Sequence, residues 1–370
     1  MIIILFIIMI LLVMALVTGC IVYDFRQFRQ SGLIRKISEK NKCLSCALSS
    51  VPFVLITICA FFFGIISAII ILLHLTVFLM MCNLILYGTK KLVKKSFTKT
   101  ASVVSAIILT TVYMSIGWYN AHNVIETAYT FETEKQLSEN SLRIVQIADS
   151  HLGVTLDGKS FSHHLQNIHK KSPDIIVITG DFVDDNSNKA DMIKACQALG
   201  NLQTRYGVYF TFGNHDKGYF ENSHNFTEDE LRQELLKNNV KILEDEAALI
   251  DDSFYLVGRQ DKSEKKRKSI DELISGLDKS KYIVVLDHQP NDYDNEAKTE
   301  VDLVLSGHTH GGHIFPAGVI GLITGANDKV YGTEKINKTD FVVTSGISGW
   351  EIPFKTGAIS EYVVIDVKCN

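Results

Sequence analysis

The stretch Val301-Asp302-Leu303-Val304-Leu305-Ser306-Gly307-His308-Thr309-His310-Gly311-Gly312 joins a short apolar run to two histidines one residue apart. An apolar run of this length closed by glycine reads as a buried strand. The alternate spacing then lets both imidazoles turn toward one point beyond its end, as metal ligands must. Four further clusters stand in the same relation to an apolar run. Asp149-Ser150-His151 follows residues 142–148, and Gly180-Asp181 follows 174–179. Gly213-Asn214-His215-Asp216 follows 208–212, and Asp287-His288-Gln289-Pro290 follows 282–286. Singly, each has an ordinary reading as a surface turn or a structural histidine. Five at equivalent strand ends supply mixed nitrogen and oxygen donors for two cations.

Around these clusters, strand-like runs (the five above and 255–257) alternate with amphipathic stretches at 161–170, 190–199 and 228–237. Strand, loop and helix in repetition indicate α/β layering. The runs 341–344 and 362–367 have no helix between them and are expected to complete a second sheet. The expected architecture is a four-layer sandwich, two mixed β-sheets flanked by helices, over residues 141–370. Residues 120–140 are polar and acidic with helical character, as suits a connector. The basic run 262–268 reads as a solvated loop, and His163, His164, His169 and His224, which match no cluster, are expected at the surface.

The first third of the 370-residue chain is different in kind. Residues 2–22 are apolar throughout, long enough to cross a bilayer core of about 30 Å, and 101–119 are also sufficient. Residues 51–87 would run about 55 Å as one helix, nearly twice that thickness, so two spans with a reversal near Gly64, Ser67 or His74 are expected. Four helices result, at about 2–22, 48–66, 68–87 and 101–119. Arg26, Arg29, Arg35, Lys36, Lys40 and Lys42 follow the first span, and Lys90, Lys91, Lys94, Lys95 and Lys99 precede the last. Short basic loops stay in the cytoplasm, so an even number of crossings lies between them and the domain after Tyr119 is expected outside the cell membrane. Val17-Thr18-Gly19-Cys20 also looks like a lipobox, but no basic segment precedes it. The seven cysteines form no framework, Cys43 and Cys46 reading as free juxtamembrane thiols. A net charge of −4, with both signs mixed along the soluble part, points to no specific nucleic-acid partner.

Oxygen donors Asp149, Asp181 and Asn214 with nitrogen donors His151, His288, His308 and His310 suit Mn, Fe or Zn and not Ca. His215 can donate a proton or hydrogen bond to a leaving group, with Asp216 placed to orient it. The chain lacks the glycine-rich lysine loop of nucleotide kinases, and no serine sits in a nucleophile elbow.

In order and content these motifs resemble the calcineurin-like metallophosphoesterase family over roughly residues 142–367, and its membrane-anchored bacterial subgroup in particular. In that subgroup a double-histidine motif with two glycines is followed by a Gly-Ile segment, here Thr344-Ser345-Gly346-Ile347-Ser348-Gly349. The resemblance implies that Asp149, His151, Asp181 and His310 hold one metal ion and Asp181, Asn214, His288 and His308 a second, with Asp181 bridging. It implies that His215, paired with Asp216, protonates the leaving group, and that the cofactors are two transition-metal ions, Mn first, Fe or Zn as alternatives. Two departures bear on substrate contacts: His313 stands where glutamine is common and Lys355 near a usual arginine. The expected activity is metal-dependent hydrolysis of phosphoesters, phosphodiesters above all, on a lipid or envelope component at the outer face of the membrane. The alternatives are a pyrophosphatase of a lipid-linked nucleotide and a non-catalytic membrane sensor of phosphate compounds.

Overall fold

The computed structural model describes residues 2–93, 98–185, 187–218 and 225–370. Lys94, Lys95 and His224 lie outside the described residues. The chain divides into two compact units, up to Ile116 and from Gly117 onward.

The first unit is helical: α1 (Ile2–Arg29), α2 (Gly32–Lys40), α3 (Lys42–Val93) and most of α4 (Lys99–His122). Among the described residues, three helices are long and apolar enough to cross a membrane: Ile7–Arg29, Lys42–Leu92 and Lys99–His122. The middle one is broken at Gly64, whose φ of 83° and ψ of 159° are not helical. The break is a reversal. A straight helix would separate Phe53 from Thr76 by about 34 Å. Instead the Phe53 ring lies 6.5 Å from Phe25 and 6.1 Å from Phe28, while the Thr76 hydroxyl donates to Asp24 at 2.9 Å, all on neighbouring turns of α1. All seven cysteines are free.

The second unit follows the chain order β1 (Ile125–Thr133), β2 (Ser141–Ile147), α5 (Gly158–His169), β3 (Ile175–Thr179), α6 (Lys189–Gly200), β4 (Gly207–Thr211) and α7 (Glu228–Lys237). It continues with β5 (Lys241–Ile242), β6 (Glu246–Ile250), β7 (Phe254–Gly258), α8 (Ile270–Ile274), β8 (Tyr282–Leu286), α9 (Tyr293–Glu296) and β9 (Leu303–Ser306). After α10 (Ala317–Ile323) come β10 (Gly332–Ile336), β11 (Thr339–Val343) and β12 (Glu361–Cys369). One sheet has the order β1-β12-β2-β3-β4-β5 and the other β10-β11-β9-β8-β7-β6. β2, β3 and β4 are parallel neighbours, as are β7, β8 and β9, so each sheet sends a set of strand ends the same way.

Alternation along the strands builds the layers. In β3, Ile175 and Val177 face the other sheet, packing in one core with Leu256, Val284, Leu303 and Leu305. Ile176 and Ile178 turn away to meet Phe161 and Leu165 of α5, Met192 and Leu199 of α6, and Leu231 of α7. On the far side Ile283, Val285 and Val304 pack against Ile270 and Leu273 of α8 and Tyr293 of α9. This is the expected four-layer sandwich. Asp157, Asn188 and Thr227 each accept a backbone N–H to cap α5, α6 and α7.

Three expectations need correction. The segment 120–140 is not a helical connector, because β1 occupies Ile125–Thr133 as an edge strand parallel to β12. Ile125, Thr127, Tyr129 and Phe131 turn inward between exposed Glu126, Ala128, Thr130 and Glu132, a period of two that the acidic residues conceal. The final strand joins the first sheet, antiparallel to β2, and only β11 enters the second. The basic loop is not wholly solvated, since Arg267 turns in to pair with Asp287 while Lys262, Lys265 and Lys266 remain exposed.

Candidate metal centre and active-site cavity

Every cluster lies just beyond the carboxyl end of a strand. Asp149 and His151 follow β2, Asp181 follows β3, Asn214 and His215 follow β4, His288 follows β8, and His308 and His310 follow β9. The two sheets are tied together here. Buried Gln146 of β2 donates to the Ser306 carbonyl at 2.9 Å, and the His308 N–H donates to Asp149 Oδ1 at 2.9 Å. All seven expected ligands are thereby brought to one edge of the sandwich.

The turns that aim these side chains are strained. Asp149, His151, Asp181, His308 and His310 have φ of 54°, 35°, 52°, 69° and 49°. That left-handed region costs a non-glycine residue about 1–3 kcal/mol, and such residues cluster at functional sites. Close approach explains two glycines. A Cβ on Gly180 would lie 2.5 Å from His288 Nδ1 and 2.7 Å from the Gly213 Cα, and one on Gly213 would lie 2.3 Å from Asp181 Oδ1.

Hydrogen-bond directions test whether these residues fit metal ions. His288 Nδ1 lies 2.8 Å from the Thr179 carbonyl and so carries its proton there. Its Nε2 then faces Asp181 Oδ2 at 3.1 Å and Asn214 Oδ1 at 3.2 Å, both acceptors. His151 Nδ1 lies 3.0 Å from Asp184 Oδ2, and His310 Nδ1 lies 3.3 Å from the Ser348 carbonyl. Their Nε2 atoms face each other at 3.1 Å. Buried carboxylate oxygens and ring nitrogens gathered this closely need positive charge among them, which protons or a metal cation can supply. Ligand atoms of Asp149, His151 and His310 lie within 4.8 Å of one another, as do those of Asp181, His288 and His308. The donor set fits two cations with mixed nitrogen and oxygen ligands.

Electrostatics divides the histidines into two kinds: although burial opposes it, the charge of Asp181 raises His288 well above the usual range and Asp184 with Asp181 raises His151, so both hold protons that a cation would displace. Burial first, then His288, pushes His308 down to about 4, and burial with the charge on His151 takes His310 well below the usual range. Both rings are neutral near pH 7. Burial opposes ionisation of Asp181, but the charge and hydrogen bond of His288, with His151 and His215, hold its carboxyl well below the ordinary range. Burial pushes Asp149 up to about 6 against the pull of His288 and His151.

Asp216 has a task that the sequence did not disclose. Its Oδ2 accepts the N–H groups of Asp181 at 2.9 Å and Gly213 at 2.7 Å, and its Oδ1 those of Phe182 at 2.7 Å and Val183 at 3.1 Å. It pins the two turns that carry Asp181 and Asn214. The carboxylate gathered with His215 and His151 is Asp184. Asp184, missed from the sequence, backs the Nδ1 side of His151 as outer carboxylates back metal-bound histidines. Its one signal was its place three residues after Asp181, on the same loop.

Lys355 is fully buried and touches no open space. Its Nζ donates to the Ser345 carbonyl at 2.6 Å and the Ser348 carbonyl at 3.3 Å, fixing the loop under Asp149 and His310. Asp287 is neutralised by buried Arg259 at 2.9 Å, which also holds Glu296 at 2.9 Å and Asp292 at 2.8 Å. His163 and His169 are exposed and His164 half-buried on the outer face of α5. Above the ligands opens a cavity of about 680 Å³. Asp181, Asp184, Asn214, His215 and His308 line its floor side, with Ile314, Ala317, Val330 and Trp350 among its apolar lining.

A family model described as calcineurin-like phosphoesterase matches residues 142–312. A Danio rerio transmembrane protein with metallophosphoesterase domain is 28% identical over 291 residues, 74% of this chain and 63% of that protein. The chain thus matches less than two thirds of the length of that relative. An uncharacterized metallophosphoesterase of Aquifex aeolicus is 35% identical over 195 residues, 51% of this chain and 71% of that protein. Among solved structures, one from Thermus thermophilus aligns at 10% identity and a TM-score of 0.38 over 55% of this chain and 88% of its own.

Proposed function

We propose that this chain, which belongs to the calcineurin-like metallophosphoesterase family, hydrolyses phosphoesters at a two-metal centre on the joint edge of its sheets. The observation that carries this reading is the convergence of candidate ligand atoms: His151 Nε2 on His310 Nε2 at 3.1 Å, and His288 Nε2 on the oxygens of Asp181 and Asn214. Asp149, His151, Asp181 and His310 would hold one ion, and Asp181, Asn214, His288 and His308 the other, with Mn, Fe or Zn suited to the donors. Such ions, when bound, supply positive charge that acidifies water and neutralises phosphoryl oxygens.

The chain's own residues do the rest. Buried Asp181 and Asp149 keep the site anionic and select cations. His215, on the cavity wall beside Asp184, is placed to give a proton to the departing oxygen. Asn214 Oδ1 and the His308 ring fix the floor on which the phosphoryl group rests. The apolar lining of Ile314, Val330 and Trp350 leaves room for a second ester substituent, which favours diesters over monoesters.

The chain sits in a membrane with four spans, the arms of α3 on either side of Gly64 being two of them. The basic loops before Lys42 and before Lys99 support a catalytic unit on the outer side, since such loops stay in the cytoplasm. Protease added to intact cells should then degrade the catalytic unit; full protection would favour the pyrophosphatase reading, whose lipid-linked nucleotides are made on the cytoplasmic face. The activity itself is tested with nitrophenyl phosphate and bis-nitrophenyl phosphate, using detergent-purified chain with Mn2+. Diester turnover above monoester turnover, lost in His308→Ala, is expected; equal or reversed preference refutes the diester assignment.

A further inference from the structure

α10 has no buried residue, although its sequence, Ala317-Gly-Val-Ile-Gly-Leu-Ile323, holds nothing polar. Ile323 is 80% exposed, Ile320 56%, and Phe315, Val319 and Leu322 are exposed beside them. A contiguous apolar patch of this kind on a folded surface marks contact with a protein or a membrane. Its inner side belongs to the catalytic cavity: Ile314, Ala317 and Gly318 line that cavity, and Gly318 packs against Gly312, two residues after His310.

Three contacts say what covers the outer side. The Phe315 N–H donates to the Thr356 hydroxyl at 3.0 Å. The neighbouring Lys355 N–H donates to the Gly117 carbonyl at 2.8 Å, and Asn120 Nδ2 donates to the Lys355 carbonyl at 3.1 Å. Gly117 and Asn120 are in the last turns of α4, a helix apolar and long enough to cross a membrane. Trp118 and Tyr119, exposed between them, are the aromatic residues that settle at a membrane–water interface. The apolar helix at the mouth of the cavity is therefore tied, through residues 355–356, to the point where α4 leaves the bilayer.

We infer that α10 and Phe315 lie in the surface of the bilayer that α4 enters, so that the catalytic cavity opens onto lipid and takes the phosphoester headgroup of a membrane lipid. The lipid's acyl portion stays in the bilayer beside Ile320 and Ile323, and its phosphoryl group reaches the cavity floor past Ile314. The docking of α10 stands on the contacts above, whereas the substrate class rests on the phosphoesterase reading.

The test uses the full chain in phosphatidylcholine nanodiscs, in two arms. In the first, benzoylphenylalanine replaces either Ile323 or, as control, exposed Lys194 of α6, and adducts are identified by mass spectrometry after illumination. Lipid adducts at position 323 and none at 194 are expected. No adduct at 323, or one to a second copy of the chain, overturns the docking. In the second arm, hexadecyl nitrophenyl phosphate in the nanodisc is compared with methyl nitrophenyl phosphate in solution, with Mn2+ present. A kcat/KM at least tenfold higher for the hexadecyl ester is expected, and Ile320→Asn with Ile323→Asn should abolish the advantage without changing turnover of the methyl ester. Equal turnover of the two esters, or an advantage unmoved by the double substitution, overturns the substrate class. If neither ester reacts while lipid adducts form, the phosphoesterase reading fails and the docking of α10 stands.

Discussion

Replacing Asp216 with Asn separates two tasks for one carboxylate. In the structure each oxygen accepts two buried backbone N–H groups, Oδ1 from Phe182 and Val183 and Oδ2 from Asp181 and Gly213. Asparagine has the same shape but one acceptor oxygen, so its NH2 must face two of these four donors. A buried donor left without its partner costs about 1–3 kcal/mol, which puts the loss at about 2–6 kcal/mol. Against a typical domain stability of 5–15 kcal/mol this is a large fraction. A central loss of about 4 kcal/mol corresponds to a drop in Tm of about 8–16 °C for a unit of this size. Tryptophan fluorescence of purified chain during a thermal ramp measures it. Because the Asp181 and Gly213 turns are both pinned by Asp216, affinity for Mn2+ should fall as well. If Asp216→Asn melts with the parent and loses only turnover, the carboxylate orients His215 after all, and the anchoring role is refuted.

Asp184→Asn weakens the partner behind His151 Nδ1 and should lower Mn2+ affinity about 10–100-fold, read by calorimetric titration; unchanged affinity would remove Asp184 from the centre's support. Arg259→Met leaves Glu296 buried without its cation while Asp287 keeps Arg267, and should cost about 3 kcal/mol of stability. A thermal ramp checks it, and an unshifted Tm would mean the cluster relaxes into water. Asn188 accepts the Asp191 N–H at 2.8 Å at the start of α6, so Asn188→Ala should cost about 1 kcal/mol. The urea midpoint should fall with its slope unchanged.

The strands that carry the ligands were legible because they are buried on both faces. Uninterrupted Ile, Val and Leu in 175–178 and 283–286, closed by Gly or by a polar pair, leave few readings besides a central strand. The seven residues expected as ligands share this place just beyond strand ends, which is why the fold gathers them. Edge strands were harder. β1 alternates Ile, Thr, Tyr and Phe with Glu, Ala and Thr, so its mean polarity hides a period of two, while β10 exposes Thr333, Glu334 and Lys335 in succession and shows no such period. The partner of β12 could not be read from 362–367, since its register with β2 is fixed by tertiary packing. The four amides that Asp216 accepts could not be read from its place beside His215, because sequence adjacency says nothing of which amides a side chain reaches. α10 was passed over because an apolar heptapeptide reads alike as buried strand, buried helix or exposed patch.

The most direct test of the central claim is metal dependence measured on one preparation. Chain stripped by chelator is titrated with Mn2+ while bound metal and turnover of bis-nitrophenyl phosphate are followed together, with Asp181→Ala alongside. Two ions bound per chain, turnover rising with their binding, and neither seen in Asp181→Ala is the result expected. Turnover by the stripped chain, or full turnover with no more than one ion bound, would contradict a two-metal centre built on Asp181.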